Sequence, residues 1–283
     1  MKSPRIVQIV VLIAIVLLVG FLFSRDIKGL EQKKDGEVPA EMAQVSQVPT
    51  LSLADASTTA KNLISNASAK EFTALEAAYQ KAKGEDKVVQ AKLLAQKWDD
   101  LEQAVPSALY LEEAAIGELS LKNWVAAGDR FLKAFDNTQD TIAKPIMLQK
   151  ANHAFDAALA IDSTDLAAKT GMGISMVNGM GAPMAGITML LDVVKKDPKN
   201  FKANMNLGTF AMKSGQFDKA IIRFEGVVKD IKATPDAYFY LATAYESLGK
   251  KQQAIDAYLQ SKKLAANPTL SSFIDKKVAE LKK

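Results

Sequence analysis

The fold is decided by two successive segments that share one pattern. They are Asn206–Gly226, NLGTFAMKSGQFDKAIIRFEG, and Tyr240–Gln260, YLATAYESLGKKQQAIDAYLQ. The offset between them is about 34 residues, a period that indicates a repeat architecture. Each segment predicts a helix, a Gly turn and a second helix, and the matching Ala220 and Ala254 are small enough to let the two helices approach closely. Because a helix pair of this size cannot bury its apolar face alone, we expect each pair to stack on its neighbours.

The pattern extends over Phe201–Pro268. It resembles the tetratricopeptide repeat, whose period is about 34 residues. The resemblance is carried by Gly215–Ile221, GQFDKAI, and by Gly249–Ile255, GKKQQAI. One departure is visible, because the aromatic residue that the family has near the start of the first helix is Tyr238 in one copy and Asn204 in the other. The resemblance implies an all-α solenoid of helix pairs with a concave face that binds protein segments.

Further repeat-like units are predicted upstream of these two. Leu166–Pro198 carries glycines and apolar residues about 34 positions before the matching residues of the first clear repeat. Ala108–Phe135 is a more diverged candidate for a repeat. In the latter, the spacing of Ala127 and Phe131 matches that of the second helix of the clear repeats. The chain before Pro145–Ile161 is too short for a full preceding helix, so this segment is predicted to be one longer helix.

The predicted organisation combines an N-terminal anchor with a helical domain. Within the helical domain, Ser68 and Glu71 have the spacing of a capping box and predict the start of a helix. The last segment is expected to be a helix with a polar outer face, because the end of a solenoid must be covered. The predicted segments are a short tail (1–5), a transmembrane helix (6–23), a flexible tether (24–51), a helical domain with diverged repeats (52–165), the tetratricopeptide repeats (166–268) and a C-terminal capping helix (269–283).

The transmembrane prediction rests on Ile6–Phe23, an apolar run that only Gln8 interrupts. A membrane-spanning helix needs about 17–25 residues. The alternative is a cleaved signal peptide. The run is longer than the usual apolar core of such a peptide, and bulky residues in Gly20–Arg25 occupy the place of a small-residue cleavage site. We therefore expect an uncleaved anchor.

Two arguments about membrane orientation disagree. Lys2, Arg5 and the terminal amine precede the apolar run, whereas four basic residues follow it closely (Arg25, Lys28, Lys33 and Lys34). A count of Lys and Arg would place the helical domain in the cytoplasm. A short basic tail before an apolar run is also how an export signal begins. On the second argument we expect a single-pass protein of the bacterial inner membrane with a periplasmic domain.

Composition argues against several classes of function. The 283 residues include 36 basic and 32 acidic ones, and this interspersed charge is not the footprint of a nucleic-acid-binding protein. Cysteine is absent, so no disulfide or thiolate metal site can form. The single histidine, His153, lies on the polar side of a predicted helix without catalytic partners nearby in sequence. We therefore predict no enzymatic activity, no cofactor and no metal.

The resemblance also indicates a candidate binding site. In the family, certain positions of the first helix face the concave groove, and each clear repeat of this chain has four residues at the matching positions. These residues would give the groove a soft apolar floor with charges at its edges. Methionine-rich surfaces adapt to partners of varied shape. The alternative is that a terminal helix folds back and covers this face. The predicted groove residues are Lys202, Met205, Thr209, Met212, Asp236, Phe239, Thr243 and Glu246.

These features predict a membrane-anchored adaptor that binds segments of other proteins and assists translocation, folding or complex assembly in the cell envelope. The alternative is a stoichiometric structural subunit that holds a larger membrane complex together. An enzyme has the least support. The sequence indicates neither the partner nor the oligomeric state.

Overall fold

A computed structural model of the protein describes residues 51–138, 141, 143–179 and 181–283. These residues form thirteen α-helices and no strand. The helices are α1 (Leu53–Lys61), α2 (Asn66–Lys81), α3 (Gly84–Asp100), α4 (Ala104–Gly117), α5 (Leu121–Asn137), α6 (Ala143–Ile161), α7 (Leu166–Gly179), α8 (Pro183–Lys196), α9 (Phe201–Lys213), α10 (Phe217–Gly226), α11 (Pro235–Ser247), α12 (Lys251–Leu264) and α13 (Pro268–Leu281). Helix α10 continues into a π-helical turn, Val227–Ile231.

The predicted anchor, Ile6–Phe23, and the tether as far as residue 50 lie outside the described residues. Within the described part of the chain, no helix is both long enough and apolar enough to cross a membrane. Leu51, the last residue of the predicted tether, already packs against the hydrophobic core of the helical domain.

Several helices begin at a polar side chain that satisfies a free backbone N–H group. The capping residues of α1, α2, α5, α9, α11 and α13 each accept a hydrogen bond from the backbone nitrogen three residues later. The prediction for α2 was wrong by one turn, because Ser65 rather than Ser68 is the cap. The Ser65 hydroxyl accepts from the Ser68 nitrogen at 3.1 Å. Glu71 instead forms an ion pair with Lys97 of α3 at 2.5 Å.

From α2 onward the helices stack in chain order, each packing on its neighbours in sequence as in an all-helical solenoid, whereas α1 packs mainly on α4. Close pairs are α3 with α4, α5 with α6, α7 with α8, α9 with α10 and α11 with α12. Two large clusters of buried apolar residues run through the stack, one from α4 to α9 and one from α10 to α13. The predicted fold class, an all-α solenoid of tetratricopeptide-like helix pairs, is confirmed for this domain.

A glycine facing an aromatic ring sets the distance between the helices of a pair. A Cβ atom on Gly208 of α9 would lie 2.6 Å from two ring atoms of Phe224 on α10. A Cβ atom on Gly128 of α5 would lie equally close to the Phe155 ring on α6. Real Cβ atoms do not approach a ring so closely, so glycine is required at both positions for the helices to pack as they do.

This repeated contact changes the predicted pairing upstream of the clear repeats. The sequence interpretation placed Ala127 and Phe131 in the second helix of a repeat, but Gly128 contacts Phe155 as the first-helix Gly208 contacts Phe224. Helix α5 is therefore the first helix of a pair with α6, in addition to its contact with α4. The prediction of one long helix over Pro145–Ile161 is confirmed by α6.

Helix α13 is the last helix of the described residues, and it lies where the sequence predicts a capping helix. It buries Ile274 and Val278 against the C-terminal core cluster. Lys277 pairs with Glu246 of α11 at 2.9 Å, which ties α13 to the first helix of the last repeat. The exposed side of α13 is mostly polar, but Phe273 keeps 45% of its surface exposed. This phenylalanine lies next to the candidate site.

Candidate functional site

The first helices of four successive pairs enclose a groove of about 630 Å³. Helices α5, α7, α9 and α11 supply its walls. Five of the eight predicted residues line it, namely Met205, Thr209, Met212, Phe239 and Thr243. The other lining residues are Leu132, Asp136, Ile174, Asn178, Asn206, Phe210, Lys213 and Tyr240.

The sequence of α9 explains why its methionines reach the groove. Met205, Thr209 and Met212 are spaced by four and three residues, so they share one face of the helix. The opposite face is buried through Ala203 and Leu207. The methionines therefore lie outside the tightest part of the core, and they stay partly exposed while packing against the C-terminal cluster.

The three remaining predicted residues do not line the groove, and two of them have partners within the chain. Lys202 forms an ion pair with Asp129 of α5, which joins two first helices. Glu246 accepts hydrogen bonds from Lys277 at 2.9 Å and from the Tyr258 hydroxyl at 2.7 Å. Asp236 is exposed in the first turn of α11.

The environment of Glu246 shows that these bonds favour its charged form. Burial raises the pKa of this carboxyl, but the hydrogen bonds from Lys277 and Tyr258 outweigh burial and leave the pKa below its ordinary value. The negative charge that was predicted at the edge of the groove is therefore used to hold α13 in place.

Helix α13 reaches one end of the groove through an aromatic cluster. The Phe239 ring lies 5.9 Å from the ring of Phe273, 5.6 Å from that of Tyr258 and 6.2 Å from that of Tyr240, measured between centroids. A terminal helix thus packs beside Phe239, but none of its residues lines the groove that Phe239 shares with Met205 and Met212. Met205 and Met212 line the groove beyond this cluster.

Sequence interpretation missed the contribution of α5 to the groove. Leu132 lies four residues after Gly128, and Met212 lies four residues after Gly208, so the two occupy equivalent positions. Asn178 lies one repeat period before Met212 and is equivalent as well. Recognising Gly128 as a first-helix glycine would have identified Leu132, and the repeat period alone would have identified Asn178.

Asp136, in the last turn of α5, is the second residue that was missed. Loss of hydration raises the pKa of this carboxyl above its ordinary value, although Lys213, Lys144 and Lys202 act in the opposite direction. Asp136 is nevertheless exposed, so it places an accessible carboxylate at the groove.

The arrangement offers no evident catalytic chemistry within the described residues. His153 is exposed, and its ring lies edge-on to Trp124 with 5.8 Å between centroids. No group of three or more His, Asp or Glu side chains in the described part of the chain is placed to hold a metal ion.

Comparison with known proteins agrees with the repeat architecture. Residues 235–268, which span α11 and α12, match the family model of the tetratricopeptide repeat. No curated protein matches the chain. Solved structures of low sequence identity have a similar fold.

A thermophilic tetratricopeptide protein of Thermus thermophilus is 15% identical with a TM-score of 0.54, and the match covers 69% of this chain and 98% of that one. PilW, described as a widely conserved type IV pilus biogenesis factor, is 17% identical with a TM-score of 0.53, covering 69% and 85%. A tetratricopeptide protein of Parabacteroides merdae is 12% identical with a TM-score of 0.55, covering 69% and 71%. The helical domain therefore shares the fold of tetratricopeptide-repeat proteins.

Proposed function

We propose that this chain is a non-catalytic adaptor that holds a segment of a partner protein in the groove between α5, α7, α9 and α11. One observation carries the proposal. Met205, Met212 and Phe239 are partly exposed large apolar residues, and they line a single groove of about 630 Å³. Contiguous apolar surface on a soluble domain often marks an interaction site.

The shape of the groove favours a linear segment of a partner over a large flat surface. The four first helices provide a trough in which an amphipathic helix or an extended peptide can place a few apolar side chains. The flexible Met205 and Met212 can adjust to side chains of different shape. Phe239 is held by its aromatic neighbours and offers a more rigid contact.

We further propose that Ile6–Phe23 anchors the protein in the bacterial inner membrane and that the helical domain lies in the periplasm. We propose that the adaptor assists translocation, folding or complex assembly there. One protein of the same fold, PilW, is described as a pilus biogenesis factor. A C-terminal alkaline-phosphatase fusion should be active. Activity of a cytoplasmic reporter alone at that position would contradict the periplasmic location.

The groove is tested with a Met205→Asp, Phe239→Asp double variant of the full-length chain, and partners are identified by proximity labelling from the C-terminus. Each buried anchor contributes roughly 2 kcal/mol or more, so a tenfold or greater loss of partner labelling is expected. The matched control is Ile222→Asp, Leu259→Asp, which places the same charges on exposed apolar residues of second helices outside the groove.

The outcomes separate binding from folding. Circular dichroism should show the same helix content for both double variants, and only the groove variant should lose partners. Because Phe239 packs in an aromatic cluster, the single variant Met205→Asp provides a milder test if the double variant unfolds. Unchanged labelling by a folded groove variant would refute this function for the groove.

A further inference from the structure

One end of the groove carries the carboxylate of Asp136, which has no ion-pair partner among the described residues. Asp136 lies in the last turn of α5, where the helix dipole is negative and no basic residue compensates it. Among the described residues, no Lys, Arg or His nitrogen forms an ion pair with Asp136. Asp129 on the same helix, in contrast, pairs with Lys202, and Asp99 pairs with Arg130 at 2.5 Å.

A second carboxylate and an aromatic ring lie at the same end. Asp236 occupies the first turn of α11, and Tyr240 follows one turn later with 38% of its surface exposed. Burial raises the pKa of the Tyr240 hydroxyl, and the negative charges of Asp236 and Asp136 raise it further. Asp136 and Tyr240 line the same groove, and Asp236 lies one helical turn before Tyr240 on α11. We call Asp136, Asp236 and Tyr240 the acidic mouth.

The nearest lysines interact with other groups. Lys213 lines the groove, but its Nζ lies 3.4 Å from the Asn178 amide oxygen and 5.6 Å from the centroid of the Phe210 ring. Lys144 lies over the Phe135 ring at 5.3 Å. Lys202 is paired with Asp129. None of these cations forms an ion pair with the acidic mouth within the described part of the chain.

We infer that the groove takes a partner segment in which a lysine or arginine side chain stands beside large apolar side chains. This inference rests on the proposed function and names the chemistry of its partner. The basic group lies at the acidic mouth, where two carboxylates attract it and the partly exposed Tyr240 ring offers a cation–π contact. The apolar side chains lie on Met205 and Met212. An acidic segment would be repelled by the same carboxylates.

The probe is a random dodecapeptide display library selected on the purified full-length chain. Enriched peptides are expected to combine a basic residue with nearby large apolar residues. The affinity of one enriched peptide is then measured by fluorescence anisotropy, with its basic residue intact or replaced by glutamine. The replacement should weaken binding about tenfold, and raising the salt concentration should reduce that difference.

Variants of the protein test whether Asp136 and Asp236 attract the basic residue of the peptide. Asp136→Asn and Asp236→Asn should each weaken binding of the basic peptide, by up to about tenfold, and should leave binding of the glutamine version almost unchanged. The matched control is Asp156→Asn, which removes the same charge from an exposed position on α6 outside the groove. This control should bind both peptides as the wild type does.

The possible results distinguish this inference from the proposed function. If enriched peptides need Met205 but bind equally well without a basic residue, or are acidic, the inference is wrong and the groove remains a binding site. Unchanged affinity of Asp136→Asn and Asp236→Asn for the basic peptide would also overturn it. If no peptide binds in a way that depends on Met205, both proposals fail.

Discussion

The contact between Gly208 and Phe224 makes a sharp prediction about how these helix pairs tolerate added volume. In Gly208→Ala the new methyl group would lie 2.6 Å from two atoms of the Phe224 ring. The ring cannot easily withdraw, because Phe224 is fully buried and Tyr240 stacks on it with 5.6 Å between centroids at an interplanar angle of 16°. The added methyl group must therefore push α9 and α10 apart or distort the ring.

A matched glycine supplies the magnitude. Gly226 also has helical backbone angles, at the end of α10, and no other heavy atom lies within 4 Å of the position of an added Cβ. Gly226→Ala should stabilise the protein by up to about 1 kcal/mol, because alanine loses less backbone entropy in a helix. Gly208→Ala gains the same helix propensity but adds an overpacking cost of about 1–3 kcal/mol. Because only Gly208→Ala carries the overpacking cost, the free energies of unfolding of the two variants should differ by about 1–3 kcal/mol.

Urea unfolding followed by circular dichroism measures this difference. Gly208→Ala should have the lower midpoint, and adding Phe224→Leu should recover part of the loss by removing the ring that the methyl group strikes. A double-mutant cycle isolates that coupling. Equal stability of the two alanine variants, or a Gly208→Ala protein more stable than the wild type, would show that the helices are not in the close contact described here.

The remaining predictions concern the core, the acidic mouth and α13. Ala220→Leu should lower the melting temperature, because Ala220 is fully buried and the added atoms cost about 1–3 kcal/mol; an unchanged value would mean that this position faces solvent. Asp136→Asn should raise the free energy of unfolding at pH 7 by about 0.3–1 kcal/mol, because a carboxylate at the end of a helix is unfavourable. The raised pKa of Asp136 means that the charged form costs stability at neutral pH, so this gain should shrink as the pH falls through that pKa. Glu246→Gln should speed amide hydrogen exchange in α13 but not in α9. The lowered pKa of Glu246 means that its stabilising contribution is present at neutral pH and is lost as the pH falls below its ordinary value of 4.5, and an unchanged exchange rate in the variant would contradict this role.

The C-terminal repeats could be predicted from sequence because their local signals agree with their packing. Gly215 and Gly249 both have positive φ angles, 72° and 69°, in the turns between the paired helices. The repeat period then places Ala220 and Ala254 at equivalent buried positions. Turn geometry, helix spacing and small-residue contacts all indicate one register, so little depends on distant parts of the chain.

The pairing of α5 could not be predicted in the same way, because this first helix carries the small residue four positions before an aromatic one that is typical of a second helix. Ala127 and Phe131 fit the second-helix pattern as well as Ala220 and Phe224 do. The deciding contact is between Gly128 and Phe155, which lie 27 positions apart in the sequence, against 16 for Gly208 and Phe224. Such a contact is tertiary and leaves no periodic signal.

The same limit explains which parts of the groove were found. Its floor follows the repeat period, so Met205, Met212 and Phe239 lie on one face of the domain and line the groove together. Its charges do not follow the period, because each charge depends on whether another element supplies a partner. Lys202 and Glu246 carry the expected charges, but α5 and α13 supply partners for both.

Partner selection by charge therefore depends on the groups that the fold leaves unpaired. Lys202 and Glu246 are held in contacts that stabilise the solenoid, so a ligand could use them only by breaking those ion pairs. Asp136 and Asp236 have no such bond within the described part of the chain, and both act on the Tyr240 hydroxyl. A basic side chain that approaches them can form an ion pair without breaking one within the described residues, although Lys213, Lys144 and Lys202 already act on Asp136. The apolar floor can then supply affinity for many segments, while the acidic mouth selects among them by charge.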